Sequence, residues 1–176
     1  MVTSATTRPH DAAEQPGPQS RRACLVSLCG ELLAIDVDRV YEVVQEATVT
    51  PLPEVPMGLA GVINFRGEIL PVIDLAPWLT SSTKIASGTM SAIVVQGEST
   101  QLGLRIDAVN DVVELQDTRP AEAEILRPGL EKCMNPVAAT SIQGASVSGR
   151  KTIWHLSVER LFDRLIEVFS TPRKKV

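Results

Sequence analysis

Two small β-barrels in duplicate are the architecture that this 176-residue sequence predicts, and three observations carry the prediction. The apolar residues are mostly Val, Ile, Leu and Ala, with 3% aromatics and with 11 Gly and 12 Pro as punctuation, a composition that suits strands. Apolar residues alternate at Leu33, Ile35, Val37 and again at Leu102, Leu104, Ile106, the period of a strand with one buried face. The third observation is internal repetition: Leu33–Val44 and Leu102–Val113 share a strand, then an aspartate, then Val, an acid and Val-Val.

The elements follow in order. Residues 1–22 hold too little apolar surface to offset ordering entropy and read as a disordered leader. Cys24–Cys29 and Ala92–Gln96 are apolar runs that each reach a Gly-Glu pair, Gly30-Glu31 or Gly97-Glu98, and each predicts a β-hairpin. Asp38 and Asp107 are expected to cap short helical turns before the chain returns to the sheet. Pro51, Pro53 and Pro56 stiffen a loop. Ile69–Leu75 and Thr152–Leu156 are matching strands, so the halves fall at roughly 23–80 and 90–160. A polar connector spans Ser81–Gly88, and a long excursion with three prolines spans 115–137. Val158, Leu161, Phe162, Leu165, Ile166 and Phe169 recur at helical spacing behind Ser157, predicting a helix over 157–169 capped by that serine. A basic tail, 170–176, closes the chain.

Composition narrows the function. A net charge of −4 argues against a general polyanion binder, and scarce aromatics argue against base stacking. Three cysteines make no disulfide framework and suit a reducing compartment. Neither a signal peptide nor a membrane span is visible, so a cytoplasmic protein is expected. Cys24 and Cys29, placed on one strand, point to opposite faces, and Cys133 is remote, so no metal is expected. His155 reads as a satisfied structural residue. The glycines Gly58, Gly61 and Gly67 lack the Lys-Ser/Thr of a phosphate cradle, and no nucleophile motif appears. No cofactor is expected and no catalysis. Acids such as Asp36, Asp74 and Asp107 sit at strand ends, where turn and capping roles are usual.

One segment stands out. Gly61-Val-Ile-Asn-Phe-Arg-Gly67 carries Asn64 and Arg66 two apart, hence on one face of a strand, closed by a glycine turn. Arg66 is either a protein-docking anchor or the partner of a nearby carboxylate such as Glu68 or Asp74.

Pro56–Leu75, with its Gly-x-x-Asn-x-Arg-Gly core and Asp-Leu end, resembles the signature region of CheW-like domains, the chemotaxis coupling proteins. The stretch 34–43, Val109-x-Asp-Val112 and Ile142-x-Gly144 fit as well, and the likeness spans 23–169. The resemblance implies a mainly β fold of two SH3-like five-stranded barrel halves sharing a core, with short helices and a C-terminal helix. It implies a non-catalytic adaptor that joins a chemoreceptor's cytoplasmic hairpin to the regulatory domain of a CheA-type histidine kinase, in arrays at the inner face of the membrane. Apolar sheet ends would take the kinase, and a groove between the halves would take receptor helices. It also implies partner contact near Val40, Glu42, Gly61, Asn64, Arg66 and Gly67. The chain departs from the family pattern at Gly58, at Ala76-Pro77 and at His155, which leaves open an array with an output other than motility. A regulator that competes for kinase or receptor without bridging them, and an enzyme or small-ligand sensor built on duplicated barrels, are the other readings.

Overall fold

A computed structural model describes residues 21–79, 88–115, 130, 132–138, 142–143 and 152–170. Arg21 and Arg22, the last residues of the expected leader 1–22, belong to a strand; the leader up to residue 20, most of the connector, the excursion from 116 to 129, Gly144 and the tail from 171 lie outside the described residues. The strands are β1 (Arg21–Leu28), β2 (Glu31–Asp36), β3 (Val40–Val49), β4 (Leu59–Phe65), β5 (Glu68–Ile73), β6 (Gly88–Gln96), β7 (Gln101–Ile106), β8 (Ala108–Leu115), β9 (Met134–Ala138), β10 (Ile142–Gln143) and β11 (Thr152–Leu156). Helix α1 is Ala76–Leu79 and α2 is Val158–Ser170, and a 3₁₀ turn covers Val37–Arg39.

Both predicted hairpins form. β1 and β2 pair antiparallel through the turn Cys29-Gly30, whose φ values of 52° and 84° are both positive, as a two-residue turn with the twist of its strands requires. Cys29 therefore lies in the turn and not on the strand where its spacing from Cys24 had placed it. β6 and β7 pair likewise.

The strands assemble into two curled sheets, ordered β10-β8-β1-β2-β11-β9 and β3-β6-β7-β5-β4. Read against the repeat, this order is an exchange. The β1–β2 hairpin of the first half lies with β8, β9 and β11 of the second, and the β6–β7 hairpin lies with β3, β4 and β5 of the first. The boundary near residues 80–90 thus separates the repeats but not the sheets. The crossings occur at the repeated aspartate: the chain changes sheet at the turn Val37–Arg39 and again at Asp107. Neither aspartate caps as expected. Asp38 sits inside its turn, and Asp107 is a single bend residue whose Oδ2 accepts from the Cys29 N–H.

Exchange explains how the halves share a core. Cys24, Val26 and Leu28 of β1, Leu33 and Ile35 of β2, Ile93 and Val95 of β6, and Leu102, Leu104 and Ile106 of β7 face one another between the sheets. Their neighbours face outward into a second layer: Ala23, Leu25, Leu32 and Ala34 pack with Val113 and Ile153, and Val94 packs with Val49, Ile63 and Val72. These hairpin strands are buried on both faces and so read as nearly continuous apolar runs. Helix α2 covers the central layer with Val158, Leu161 and Leu165, and the Ser157 hydroxyl accepts from the Arg160 N–H at 3.5 Å. Ile166, assigned to its apolar face, is 63% exposed. Cys24 is buried, and desolvation pushes its thiol pKa up, away from reactivity.

A polar cluster interrupts the apolar layer. Asp74 is fully buried; its Oδ1 accepts from the Ala76 N–H at 2.9 Å, capping α1, and its Oδ2 pairs with Arg105 Nη1 at 3.1 Å. Arg105 Nη2 reaches Asp107 Oδ1 at 3.2 Å. Burial works to lower the Arg105 pKa, but the carboxylate charges of Asp74 and Asp107 outweigh it, and the net shift is upward. At the matching end of the other parallel pair, His155 Nε2 on β11 meets Asp36 Oδ1 on β2 at 3.0 Å. The repeat sets Asp36 level with Arg105, so the hairpin strand carries the acid in one pair and the base in the other. A histidine at 155 suits an acidic partner.

The β3 and β4 edges are bridged at Thr50 and Val62, whose N–H groups and carbonyls exchange hydrogen bonds of 2.8 and 2.9 Å and close the five-stranded sheet. Gly61 has φ 146°, and a Cβ there would stand 2.3 Å from the Thr50 carbonyl oxygen. Gly58 is constrained too, because the Trp78 ring occupies the space of its missing side chain, 2.0 Å from where a Cβ would be.

Two outcomes follow for stability in urea titrations. Gly61→Ala lowers it by roughly 2–3 kcal/mol through the strained φ and the blocked seam, whereas Gly67→Ala, with open space around it, costs about 1–2 kcal/mol. Asp74→Ala costs about 3–5 kcal/mol because it removes the buried partner of the Arg105 guanidinium and leaves it only the half-exposed Asp107 carboxylate, and adding Arg105→Met restores a measurable part.

Candidate functional site

β4 ends at Phe65, and the two-residue turn to β5 is Arg66-Gly67, with φ values of 55° and 88°. Glycine takes its angle freely, while Arg66 adopts a left-handed conformation that L-residues resist. The Asn64 Oδ1 accepts from the Gly67 N–H at 2.9 Å and holds the turn. This accounts for the spacing of the Asn-x-Arg-Gly motif: asparagine locks, glycine turns, and arginine is lifted off the sheet. Arg66 is therefore not on the strand face shared with Asn64, as alternation alone had suggested.

The Arg66 guanidinium crosses the β3–β4 seam. Nη2 pairs with the Glu42 carboxylate, and Nη1 donates to the Tyr41 hydroxyl at 3.3 Å. Its Cζ lies 5.5 Å from the Tyr41 ring centroid and 5.4 Å from that of Phe65, and the two rings meet edge to face at 6.1 Å. The carboxylate partner is Glu42, not Glu68 or Asp74. Arg66 stays 62% exposed, so its charge is held in place yet open to solvent. Ile69, the cross-strand neighbour of Asn64, is 80% exposed beside it.

Of the six residues singled out in the sequence, the structure brings Glu42, Asn64, Arg66 and Gly67 to one corner. Val40 is half-buried and packs against the central core, and Gly61 lies in the seam against Thr50. Tyr41 and Phe65 were missed. Their signal was rarity, since the chain has one Tyr and three Phe, and Phe65 lies inside this motif.

A second feature is a polar cleft of about 900 Å³ where β2, β9, β11 and the start of α2 meet, lined by Arg21, Asp36, Arg39, His155, Glu159 and Arg160. Arg39 pairs with Glu159 across it. The His155 hydrogen bond holds the Asp36 carboxyl below its ordinary 3.8, against a smaller opposing effect of burial. Among the described residues, no group of three or more His, Cys, Asp or Glu is arranged to hold a metal ion.

Residues 22–165 match the profile of the CheW-like domain family. The chain is 33% identical to the chemotaxis protein CheW of Thermotoga maritima over 51% of its own length and 58% of the relative's. It is 29% identical to a probable chemotaxis protein CheW of Rhizobium etli over 73% of its own length and 78% of the relative's. In some of these matches, as with Thermotoga maritima and Rhizobium meliloti, the chain spans little more than half of the relative. The crystal structure of the scaffolding protein CheW from Thermoanaerobacter tengcongensis superposes with a TM-score of 0.62 at 26% identity, covering 83% of this chain and 93% of that one.

Because the folded Asp36 pKa is depressed, its contact with His155 contributes stability that is fully present above pH 3.8 and is lost as pH falls through the folded value. Urea midpoints of the parent and Asp36→Asn should therefore differ at pH 5 and converge as pH falls below 3.8.

Proposed function

Because this chain belongs to the CheW-like domain family, we propose that it is a non-catalytic adaptor coupling the cytoplasmic hairpin tips of chemoreceptors to the regulatory domain of a CheA-type histidine kinase. The observation that carries the proposal is the solvent-open Arg66 corner, a cation fixed on an aromatic platform at a sheet end with an exposed Ile69 beside it. A rigid charged fork beside apolar area is a frequent anchor at protein interfaces. Glu42, Asn64, Arg66 and Gly67 form the receptor-contacting corner, with Val40 and Gly61 shaping the sheet behind it. No helix among the described residues is long and apolar enough to cross a membrane.

Two relatives bear names outside the chemotaxis label: protein FrzA of Myxococcus xanthus, 34% identical, and protein PilI of Pseudomonas aeruginosa, 30% identical. Relatives not named for chemotaxis favour a second reading, an adaptor of the same kind in a chemosensory pathway with another output.

Arg66→Glu leaves the fold intact, costing about 1 kcal/mol or less because the lost pair is exposed. It weakens capture of a receptor hairpin fragment about tenfold or more. Pull-down of receptor fragment and kinase regulatory domain together on the parent chain supports bridging. Mutually exclusive capture identifies a competitor, and unfolding of the variant removes Arg66 as a docking residue.

A further inference from the structure

The Arg66 fork is already engaged from within the chain. Glu42 occupies Nη2, the Tyr41 hydroxyl occupies Nη1, and two aromatic rings lie over the guanidinium. A partner carboxylate approaching that fork meets the Glu42 carboxylate beside it, and like charges on one guanidinium oppose each other. The internal pair is nonetheless easily opened, because Arg66 and Glu42 are 62% and 37% exposed.

Resting on the reading of Arg66 as the docking cation, we infer that Glu42 is an internal stand-in for a partner's carboxylate. On docking, an Asp or Glu of the partner takes the Nη edge and Glu42 swings into solvent. The partner's apolar neighbours then settle on Tyr41 and Ile69, which are 47% and 80% exposed. Tyr41 is the positioning residue of the exchange: its ring and hydroxyl keep the guanidinium in place while the carboxylates trade. Glu42 thus sets the affinity by competition, and the partner's contact patch is acidic and apolar.

The test is calorimetric titration of the full chain and its variants with a purified chemoreceptor cytoplasmic hairpin, with thermal melts to show that each variant is folded. Glu42→Gln should bind about two- to fivefold tighter than the parent, the range that loss of an exposed competing pair provides. Arg66→Ala should bind more weakly, and in the double variant the gain from Glu42→Gln should vanish. Tyr41→Phe should retain most of the affinity that Tyr41→Ala loses. Weaker or unchanged binding by Glu42→Gln overturns the exchange, the weaker case making Glu42 itself a contact for a cationic partner. If neither the parent nor any variant binds the hairpin, the adaptor reading fails, and the exchange fails with it.

Discussion

A fully buried carboxylate anchors this fold. Asp74 ends β5, caps α1 and holds Arg105 of β7; Arg105 holds Asp107, where the chain leaves one sheet for the other, and Asp107 receives the N–H of the Cys29-Gly30 turn. Three separate segments are fixed by one short chain of charges that runs from the buried Asp74 to the half-exposed Asp107. A burial of this kind is stabilising only while every member is satisfied, and here each has its partner. Apolar packing between sheets is tolerant of sliding, but hydrogen-bonded ions are not. The cluster thus specifies how the two sheets sit more sharply than the leucines and valines around it can.

The corner proposed for docking has a rigidity of its own. Its turn is built from backbone angles of opposite cost, free for Gly67 and resisted by Arg66, and the Asn64 amide holds both. An arginine presented this way has already lost most of its side-chain freedom, so little more is given up when a partner arrives. The contrast with the His155 cleft is instructive. There the charges are paired across a recess and face one another, whereas at the corner one cation is turned outward.

Much of the architecture was legible in the sequence, and the failures have physical causes. Alternation in Leu33–Val37 and Leu102–Ile106, the Gly-containing turns and the Ser157-led helix all report local geometry, which local patterns encode. The repeat was visible as well, but its exchange was not. A strand's pattern says that a face is buried and does not say by which partner, so Leu33–Ile35 reads the same beside Trp154–Leu156 as beside Val72–Ile73. Position in the Asn-x-Arg-Gly motif found Arg66, but strand periodicity misjudged its direction because the strand stops one residue earlier. Glu42 as the partner of Arg66 joins strands that are distant in sequence and meet only because the sheet curls closed.

The crossed-over hairpins bear on how the molecule is made. As the polypeptide leaves the ribosome, β1 and β2 emerge first, yet the strands that flank them, β8 and β11, come from the far side of the sequence. Until those arrive, a hairpin that is apolar on both faces has its edges unpaired, the condition under which nascent β-proteins associate wrongly. Such distant pairing also slows folding relative to proteins built from local contacts. Synthesis should therefore leave these edges exposed until β8 and β11 have emerged.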